Sequence, residues 1–170
     1  RIDSNNGPII VTQNMESLGL NSTFLGGMFF LGAPNLLPGR LTPGNKRADV
    51  FTDPDPYSQP TPSEMCTLLA DIYQCAQSGG GALVAAFPDK VNHATCQLLI
   101  DFMAQDKLGS LIQGGVPDGT LVPHKHGYVL SRDGIMHDTS DVGIGYSPGG
   151  NFVLSVYTFH PVQNIWDNTN

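Results

Sequence analysis

The chain has 170 residues, of which 40% are hydrophobic and 14% charged, and its formal net charge at pH 7 is −7. This length and apolar content predict a single globular domain over residues 1–170. Only eight Lys and Arg residues are spread along the chain, so no basic stripe could neutralise a phosphate backbone, and nucleic acid is excluded as a partner.

The longest apolar run, Gly81 to Phe87, is far shorter than the roughly 20 residues that a membrane-spanning helix needs. No membrane span is therefore predicted. A signal-peptide pattern is absent as well, but the chain begins at Arg1 rather than Met, so this absence decides nothing about export.

The first predicted element is a helix of about three turns. Asn6-Gly7-Pro8 provides a cap and a first-turn proline, and Leu18-Gly19 provides a stop. Residues 21–62 show no helical or strand periodicity and are rich in Gly, Pro, Asn and Asp, which predicts a long loop. Its one apolar cluster, Met28 to Leu31, is predicted to hold this loop in place. A loop of this length inside a compact domain is usually functional.

Three helices are predicted after this loop, all facing the core. Thr61-Pro62-Ser63-Glu64 is a capping signal, and apolar residues then recur at helical spacing up to the glycines at 79–81. A short helix is also predicted from Leu108 to Gly114-Gly115. Between these two, a helix begins near Asn92, and its predicted core face carries Leu98, Leu99, Phe102 and Met103.

The pattern changes to strands after Pro117-Asp118-Gly119. Runs rich in β-formers cover Leu121 to Leu130, Val142 to Tyr146 and Phe152 to Phe159. The tight connection at residues 147–151 predicts that the last two strands form a hairpin. Helices followed by an antiparallel sheet predict an α+β fold in which the helices pack against the sheet.

Three cysteines, Cys66, Cys75 and Cys96, cannot all pair within the chain, and their spacing matches no zinc or redox motif. We predict that they are buried thiols on helices.

The motif His124-Lys125-His126-Gly127 lies on the first predicted strand. In an extended strand Lys125 and Gly127 project to one face, and His124 and His126 project to the other. The motif resembles the Lys-Thr-Gly strand of class A β-lactamases and penicillin-binding proteins. Four other segments of the chain also resemble parts of that family and occur in the family's order: Leu18 to Leu25, Thr61 to Met65, Leu98 to Pro117 and Gly143 to His160.

This resemblance implies a β-lactamase/DD-peptidase-like fold, present here as its carboxy-terminal part. It implies that Lys125 is catalytic, placing a positive charge beside the substrate carboxylate and the serine. Gly127 would let the substrate backbone approach closely, and Tyr128 would supply a backbone N–H to the oxyanion hole. His126 stands where the family has Thr or Ser, so either carboxylate binding there would depend on pH or the preferred substrate would be different. Under strict alternation His126 points into packing instead.

The family's nucleophile is missing, because no Ser is followed three residues later by Lys. Ser4-Asn5-Asn6 is a chance match to the family's Ser-Asp-Asn loop, since it directly precedes the first helix. No Glu lies between residues 18 and 63 to activate a deacylating water. Of the three aspartates there, Asp49, Asp53 and Asp55, the last two belong to Asp53-Pro54-Asp55-Pro56, which is typical of paired turns. A peptidase-like or esterase-like relative therefore fits better than an efficient β-lactamase.

The predicted function is part of a serine hydrolase that acts on β-lactams, D-alanyl peptides or related esters and amides through an acyl-enzyme. The alternative is a non-catalytic module of the same fold that binds a peptidoglycan-like ligand or a partner chain. The resemblance implies a secreted or cell-envelope location and no cofactor. A half-domain exposes surfaces, so we expect association with the missing amino-terminal half or a homodimer.

Two other sites are considered and not expected. Gly145-Tyr146-Ser147-Pro148-Gly149 matches the nucleophile elbow of α/β-hydrolases, but β-rich residues follow it where an elbow needs a helix. His124 and His126 share a strand face, and His137 or His160 could join them as metal ligands. No carboxylate or Cys at a recognisable spacing supports such a metal site.

Overall fold

The computed structural model describes residues 6–30, 32–49, 55, 57–108, 111–131 and 133–164. Contacts divide the chain into two compact units, Arg1–Glu64 and Met65–Asn170, and the single domain stays a prediction. The match at Ser4-Asn5 and most of the predicted turns at 53–56 lie outside the described residues. No helix in the described part of the chain is long and apolar enough to cross a membrane.

The first unit contains helix α1 (Gly7–Ser17) and a two-stranded antiparallel sheet of β1 (Phe24–Leu25) and β2 (Ser58–Gln59). Helix α1 is confirmed, with a proline in its first turn and Gly19 after its end at a φ of 78°, a conformation that favours glycine. The Asn6 side chain makes no capping hydrogen bond, so the predicted side-chain cap is wrong.

Polar contacts, rather than the predicted apolar cluster, hold the start of the long loop. Phe29 and Phe30 are 80% and 55% exposed, so that prediction is wrong for both, and Leu31 lies outside the described residues. The Glu64 carboxylate instead accepts a hydrogen bond from the Ser22 N–H at 2.9 Å. Glu64 lies in the first turn of the next helix, where a carboxylate is also favourable to the helix dipole.

Three helices follow: α2 (Pro62–Ser78), α3 (Ala82–Ala86) and α4 (His93–Met103). The predictions of α2 and α4 are confirmed, and α3 is an additional short helix inside the apolar run. The Thr61 hydroxyl accepts the Glu64 N–H at 3.3 Å at the start of α2. At the start of α4, Asn92 and Thr95 form a reciprocal capping box.

One side of α4 is exposed where the sequence predicts a core face. Leu98, Leu99 and Phe102 are 52%, 43% and 60% exposed, whereas Ile100 and Met103 are buried. The prediction is therefore wrong for three of its four residues. The apolar stripe of α4 is wider than the surface that the rest of this unit covers.

A disulfide joins Cys75 in α2 to Cys96 in α4, so the prediction of free thiols is wrong for these two residues. They are 21 positions apart in the sequence, and the tertiary fold brings their Cα atoms to 6.0 Å from each other. Cys66 is a free, partly buried thiol.

The second unit also contains a sheet of three antiparallel strands in the order β3 (His124–Leu130), β4 (Met136–Gly145) and β5 (Phe152–Phe159). The α+β fold class is thereby confirmed. Leu121 forms only an isolated bridge with Tyr146, so β3 begins later than predicted. Strand β4 begins earlier than predicted, because its polar first half also pairs with both neighbours.

The predicted helix from Leu108 is wrong in start and type, because the described residues there form a single 3₁₀ turn, Ile112–Gly115. A segment that ends in two glycines is too short and too flexible to nucleate an α-helix.

The hairpin between β4 and β5 is confirmed. The Ser147 hydroxyl lies in its turn and donates to the Gly150 carbonyl oxygen at 2.6 Å. The Asn151 amide donates to the Tyr73 hydroxyl of α2 at 2.8 Å, which ties the turn to that helix. Ser147 thus lies between two strands, which excludes a nucleophile elbow.

Candidate functional site

Strand β3 forms an edge of the sheet: it pairs with β4 on one side, and no strand among the described residues pairs with its other side. At His126 the backbone faces the open side. Its N–H donates to Asp106 Oδ2 at 3.4 Å, and its carbonyl oxygen accepts from Lys125 Nζ at 2.8 Å. Backbone direction alternates along an antiparallel pair, so Tyr128 also directs its N–H and carbonyl to the open edge.

The predicted site residues lie together on this edge strand. The Lys125 side chain is 64% exposed, and that of His126 is 25% exposed. The rings of His126 and Tyr128 stack with centroids 6.4 Å apart, so both lie on one strand face. His126 is therefore partly exposed beside the edge, which differs from the alternative in which it points into packing.

Gly127 has a packing reason in addition to its predicted role in substrate approach. A Cβ atom at this position would lie 2.7 Å from the Ser140 Oγ of β4. This separation is too short for an undisturbed contact, so the neighbouring strand by itself favours glycine here.

Asp106 is the site residue that the sequence did not single out. It lies after the end of α4, its side chain is 8% exposed, and its Oδ2 lies 2.6 Å from His126 Nδ1 and 3.8 Å from Lys125 Nζ. Burial raises the pKa of the Asp106 carboxyl, but hydrogen bonds from the Leu108 N–H and from His126 outweigh burial and hold this pKa at about 2. The carboxylate is therefore ionised at neutral pH, and it contacts both Lys125 and His126.

A second carboxylate, Asp141 on β4, holds the histidine that precedes the lysine. His124 Nδ1 donates to Asp141 Oδ1 at 2.9 Å, and both side chains are almost fully buried. Since Asp141 also accepts the Ile112 N–H at 3.0 Å, this pair fixes the start of β3 from the side opposite the open edge.

Neither carboxylate carries a strong signal in the sequence. Asp106 belongs to the segment that resembles the family, but nothing in that segment shows that it returns to β3. Asp141 precedes an apolar run, and its contact with His124 depends on the β3–β4 register. That register places Asp141 opposite His126, two residues along β3 from His124.

The histidines considered as metal ligands are engaged otherwise. His124 and His126 each bond a carboxylate through Nδ1, and His137 bonds Asp133 through Nε2 and the His160 carbonyl through Nδ1. Within the described ranges, no group of three or more His, Cys, Asp or Glu is placed to hold a metal ion.

The arrangement is suited to an extended, anionic ligand. The Lys125 ammonium group and the His126 imidazole lie at the open edge, and an ammonium group makes a stronger hydrogen bond to a carboxylate than a neutral donor does. The backbone groups of Tyr128 on the same edge could pair with a ligand chain as an added strand.

The sequence and fold were compared with known proteins. A model of the β-lactamase enzyme family matches residues 10–169, and no curated protein matches the sequence. Among solved structures, PBP-A superposes with a TM-score of 0.61 at 17% identity, over 93% of this chain and 44% of that chain. A β-lactamase from Chitinophaga pinensis gives 0.59 at 19% identity, over 90% and 47%.

A class A β-lactamase from Mycobacterium abscessus also gives a TM-score of 0.59 at 19% identity, covering 92% of this chain and 47% of that chain. Identities this low show the fold alone. The chain thus spans just under half the length of the solved structures it resembles, and the resemblance first seen in the Lys125 motif is confirmed.

Proposed function

Because the chain belongs to the β-lactamase enzyme family, we propose that it supplies the substrate-binding strand of a serine hydrolase. The substrates would be β-lactams, D-alanyl peptides or related esters and amides, opened through an acyl-enzyme. The observation that supports this most directly is the open edge of β3, where Lys125 Nζ and His126 Nδ1 both lie close to Oδ2 of Asp106, at 3.8 and 2.6 Å.

In this proposal the substrate lies along β3 as an added strand. Lys125 and His126 bind its carboxylate, and the Tyr128 N–H donates to the carbonyl oxygen on which negative charge develops. The serine nucleophile comes from a polypeptide segment outside this chain, since no Ser-x-x-Lys occurs in the sequence. Activity therefore belongs to the whole protein or to a complex.

The alternative is a non-catalytic module that binds a peptidoglycan-like ligand or a partner chain. It is favoured by the missing Ser-x-x-Lys and by the absence of Glu between residues 18 and 63. The two functions differ in one measurable respect: only the hydrolase forms a covalent adduct with penicillin.

The test is the intact mass of the full-length gene product after treatment with a penicillin. We expect one added penicillin per chain in the wild type and its loss in Lys125→Ala. Lys90→Ala is the matched control, because Lys90 is an exposed lysine in the turn before α4. No adduct in the wild type would contradict the hydrolase and favour the binding module, and a normal adduct in Lys125→Ala would remove Lys125 from the site.

We also propose that the exposed apolar surface of this chain is covered by the remaining half of the protein or by a second copy. The exposed residues of α4 are Leu98, Leu99 and Phe102. A cavity of about 320 Å³ on one face of the sheet is open as well, and Phe152, Leu154 and Val156 of β5 belong to its lining. Apolar surface of this kind marks interaction sites.

Phe102→Ser in the full-length protein tests this association. If Phe102 is covered there, the change should lower the free energy of unfolding by about 3 kcal/mol, although the side chain is 60% exposed in this chain. Gln105→Ser, one turn away on an exposed position, is the control. Equal effects of the two changes would contradict a covering partner.

Localisation is proposed to be secreted or in the cell envelope. The Cys75–Cys96 disulfide supports this proposal, since disulfides persist mainly in oxidising compartments.

A further inference from the structure

We propose that Cys75 and Cys96 are positioning residues for the open edge of β3. Their disulfide holds α4 in the place from which Asp106 contacts His126 and Lys125, the two side chains proposed to bind the substrate carboxylate. What this edge binds is taken from the proposed function, whereas the link from the disulfide to Asp106 is independent of it.

Asp106 is attached to the end of α4 through its backbone. Its N–H donates to the carbonyl oxygen of Met103, the last residue of α4, at 3.2 Å. Its carboxylate Oδ2 lies 2.6 Å from His126 Nδ1, 3.4 Å from the His126 backbone nitrogen and 3.8 Å from Lys125 Nζ. A displacement of the end of α4 is therefore passed directly to the contacts of Asp106 with β3.

Apolar packing holds α4 along a narrow stripe. Its buried residues are Cys96, Ile100 and Met103, and the other apolar side chains of the helix are exposed. The Gln97 amide donates to Asp101 of the same helix at 2.9 Å, so this hydrogen bond stiffens α4 without fixing its position. Apolar burial is non-directional, whereas the disulfide sets a Cα–Cα separation of 6.0 Å.

The other end of the disulfide lies on a helix that contacts the sheet. Cys75 of α2 is fully buried. Two residues earlier, the Tyr73 hydroxyl accepts the amide of Asn151, beside the β4–β5 turn, at 2.8 Å. Near the start of α2, Cys66 lies close to Tyr157 of β5, whose pKa is raised to about 12 by burial and further by the charge of Cys66. The disulfide thus joins α4 to a helix that is itself held on the sheet.

The spacing of the buried residues shows what α4 would lose with the bond. At about 1.5 Å per residue, Cys96 to Met103 gives a base of about 10 Å against tilting, and Ile100 to Met103 alone gives about 5 Å. Asp106 lies six residues beyond Ile100, so a tilt of about 10° there would move it by about 1.5 Å. Such a movement takes the 2.6 Å contact with His126 out of hydrogen-bonding range.

The first test reads the ionisation of Asp106 and needs no substrate. Carboxyl carbon chemical shifts of the full-length protein at pH 3 should show Asp106 about nine-tenths ionised, because its pKa is about 2. In Cys75→Ala/Cys96→Val, which lacks the bond but keeps a similar apolar volume, this pKa should rise toward 3.8. The ionised fraction at pH 3 should then fall below half. Folded and unfolded chains give separate signals, so the measurement refers to folded protein.

Leu69→Ala is the matched control, because Leu69 is a buried residue of α2 and its truncation removes packing while the disulfide stays. Asp106 should remain ionised at pH 3 in this variant, as in wild type. Three outcomes would overturn the inference: wild-type ionisation of Asp106 without the bond, an equal loss of ionisation in Leu69→Ala, or failure of the chain to fold without the bond.

The second test follows the consequence at the edge of β3, through the rate at which a fluorescent penicillin labels the full-length protein. Cys75→Ala/Cys96→Val and Asp106→Asn should each label about tenfold more slowly, the effect of one lost charge-assisted contact. Together they should label no more slowly than Asp106→Asn alone, because both changes remove the same contact.

Losses that multiply would overturn the route through Asp106 while leaving the proposed hydrolase intact. Failure of the wild type to label would instead contradict the proposed function. In that case the ionisation of Asp106 decides: its loss without the bond supports the positioning role, and its persistence overturns it.

Discussion

The carboxylate of Asp141 binds Nδ1 of His124 through both oxygens, at 2.9 and 3.0 Å. The two side chains are 3% and 2% exposed, respectively. Asp141 also accepts the Ile112 N–H at 3.0 Å, so one buried carboxylate joins β4, β3 and the 3₁₀ turn. His124 fits because Gly143 lies opposite it, where a Cβ atom would come within 3.0 Å of the His124 Cβ. The strand that carries Lys125 is therefore fixed by a polar pair rather than by apolar packing alone.

Asp141→Ala should lower the free energy of unfolding by about 3 kcal/mol, because it leaves the His124 ring and the Ile112 N–H buried without their acceptor. Chemical denaturation measures the change. Asp118→Ala, in an exposed turn of the same unit, is the matched control. If the two changes cost the same, the pair does not hold β3.

Removal of the Cys75–Cys96 disulfide should also destabilise the protein. The bond closes a loop over a sequence separation of 21, and a cross-link of this size stabilises by about 2–4 kcal/mol. The double variant Cys75→Ser/Cys96→Ser should therefore unfold at a lower denaturant concentration than wild type. Cys66→Ser, which changes the free cysteine, serves as control and should stay close to wild type.

The free energy of unfolding should depend on pH through the ionisation of Asp106. Its folded-state pKa, about 2, lies below the ordinary value of 3.8, so its contribution is complete above about pH 4 and is lost as pH falls toward 2. The contribution amounts to at most about 2.5 kcal/mol. The stability difference between wild type and Asp106→Asn should therefore shrink over this interval, as measured by denaturation at several pH values. A difference that is constant with pH would contradict the shifted pKa, and Asp101→Asn should show no such trend.

The sequence predicted the elements that have strong local signals. Capping patterns and apolar periodicity found α2 and α4, and turn residues found the β4–β5 hairpin. It failed where the outcome depends on tertiary packing. Periodicity indicates that Leu98 and Phe102 belong to an apolar stripe, but it cannot show whether any neighbour covers that stripe, and both are exposed.

The candidate site likewise contains residues with a local sequence signal and residues that only the tertiary fold brings into place. Lys125 and His126 are recognisable because they are neighbours in one short motif. Asp106 contacts His126 in the structure although the two residues are 20 positions apart in the sequence. Such a pair is created by the return of the chain to β3, which no local pattern encodes. The Cys75–Cys96 bond is a second example, since spacing by itself did not predict it.

Gly127 offers a way to separate packing from function at the open edge. Gly127→Ala places a methyl group 2.7 Å from the Ser140 Oγ, and overpacking of this kind should cost about 1 kcal/mol. Ser140→Ala removes the obstructing hydroxyl, so the double variant should recover stability relative to Ser140→Ala alone. Penicillin labelling of the full-length double variant should nevertheless remain low, because the methyl group still obstructs the approach of a substrate backbone to β3. If labelling recovers together with stability, glycine is needed only for its contact with Ser140, and the proposed role in substrate approach is wrong.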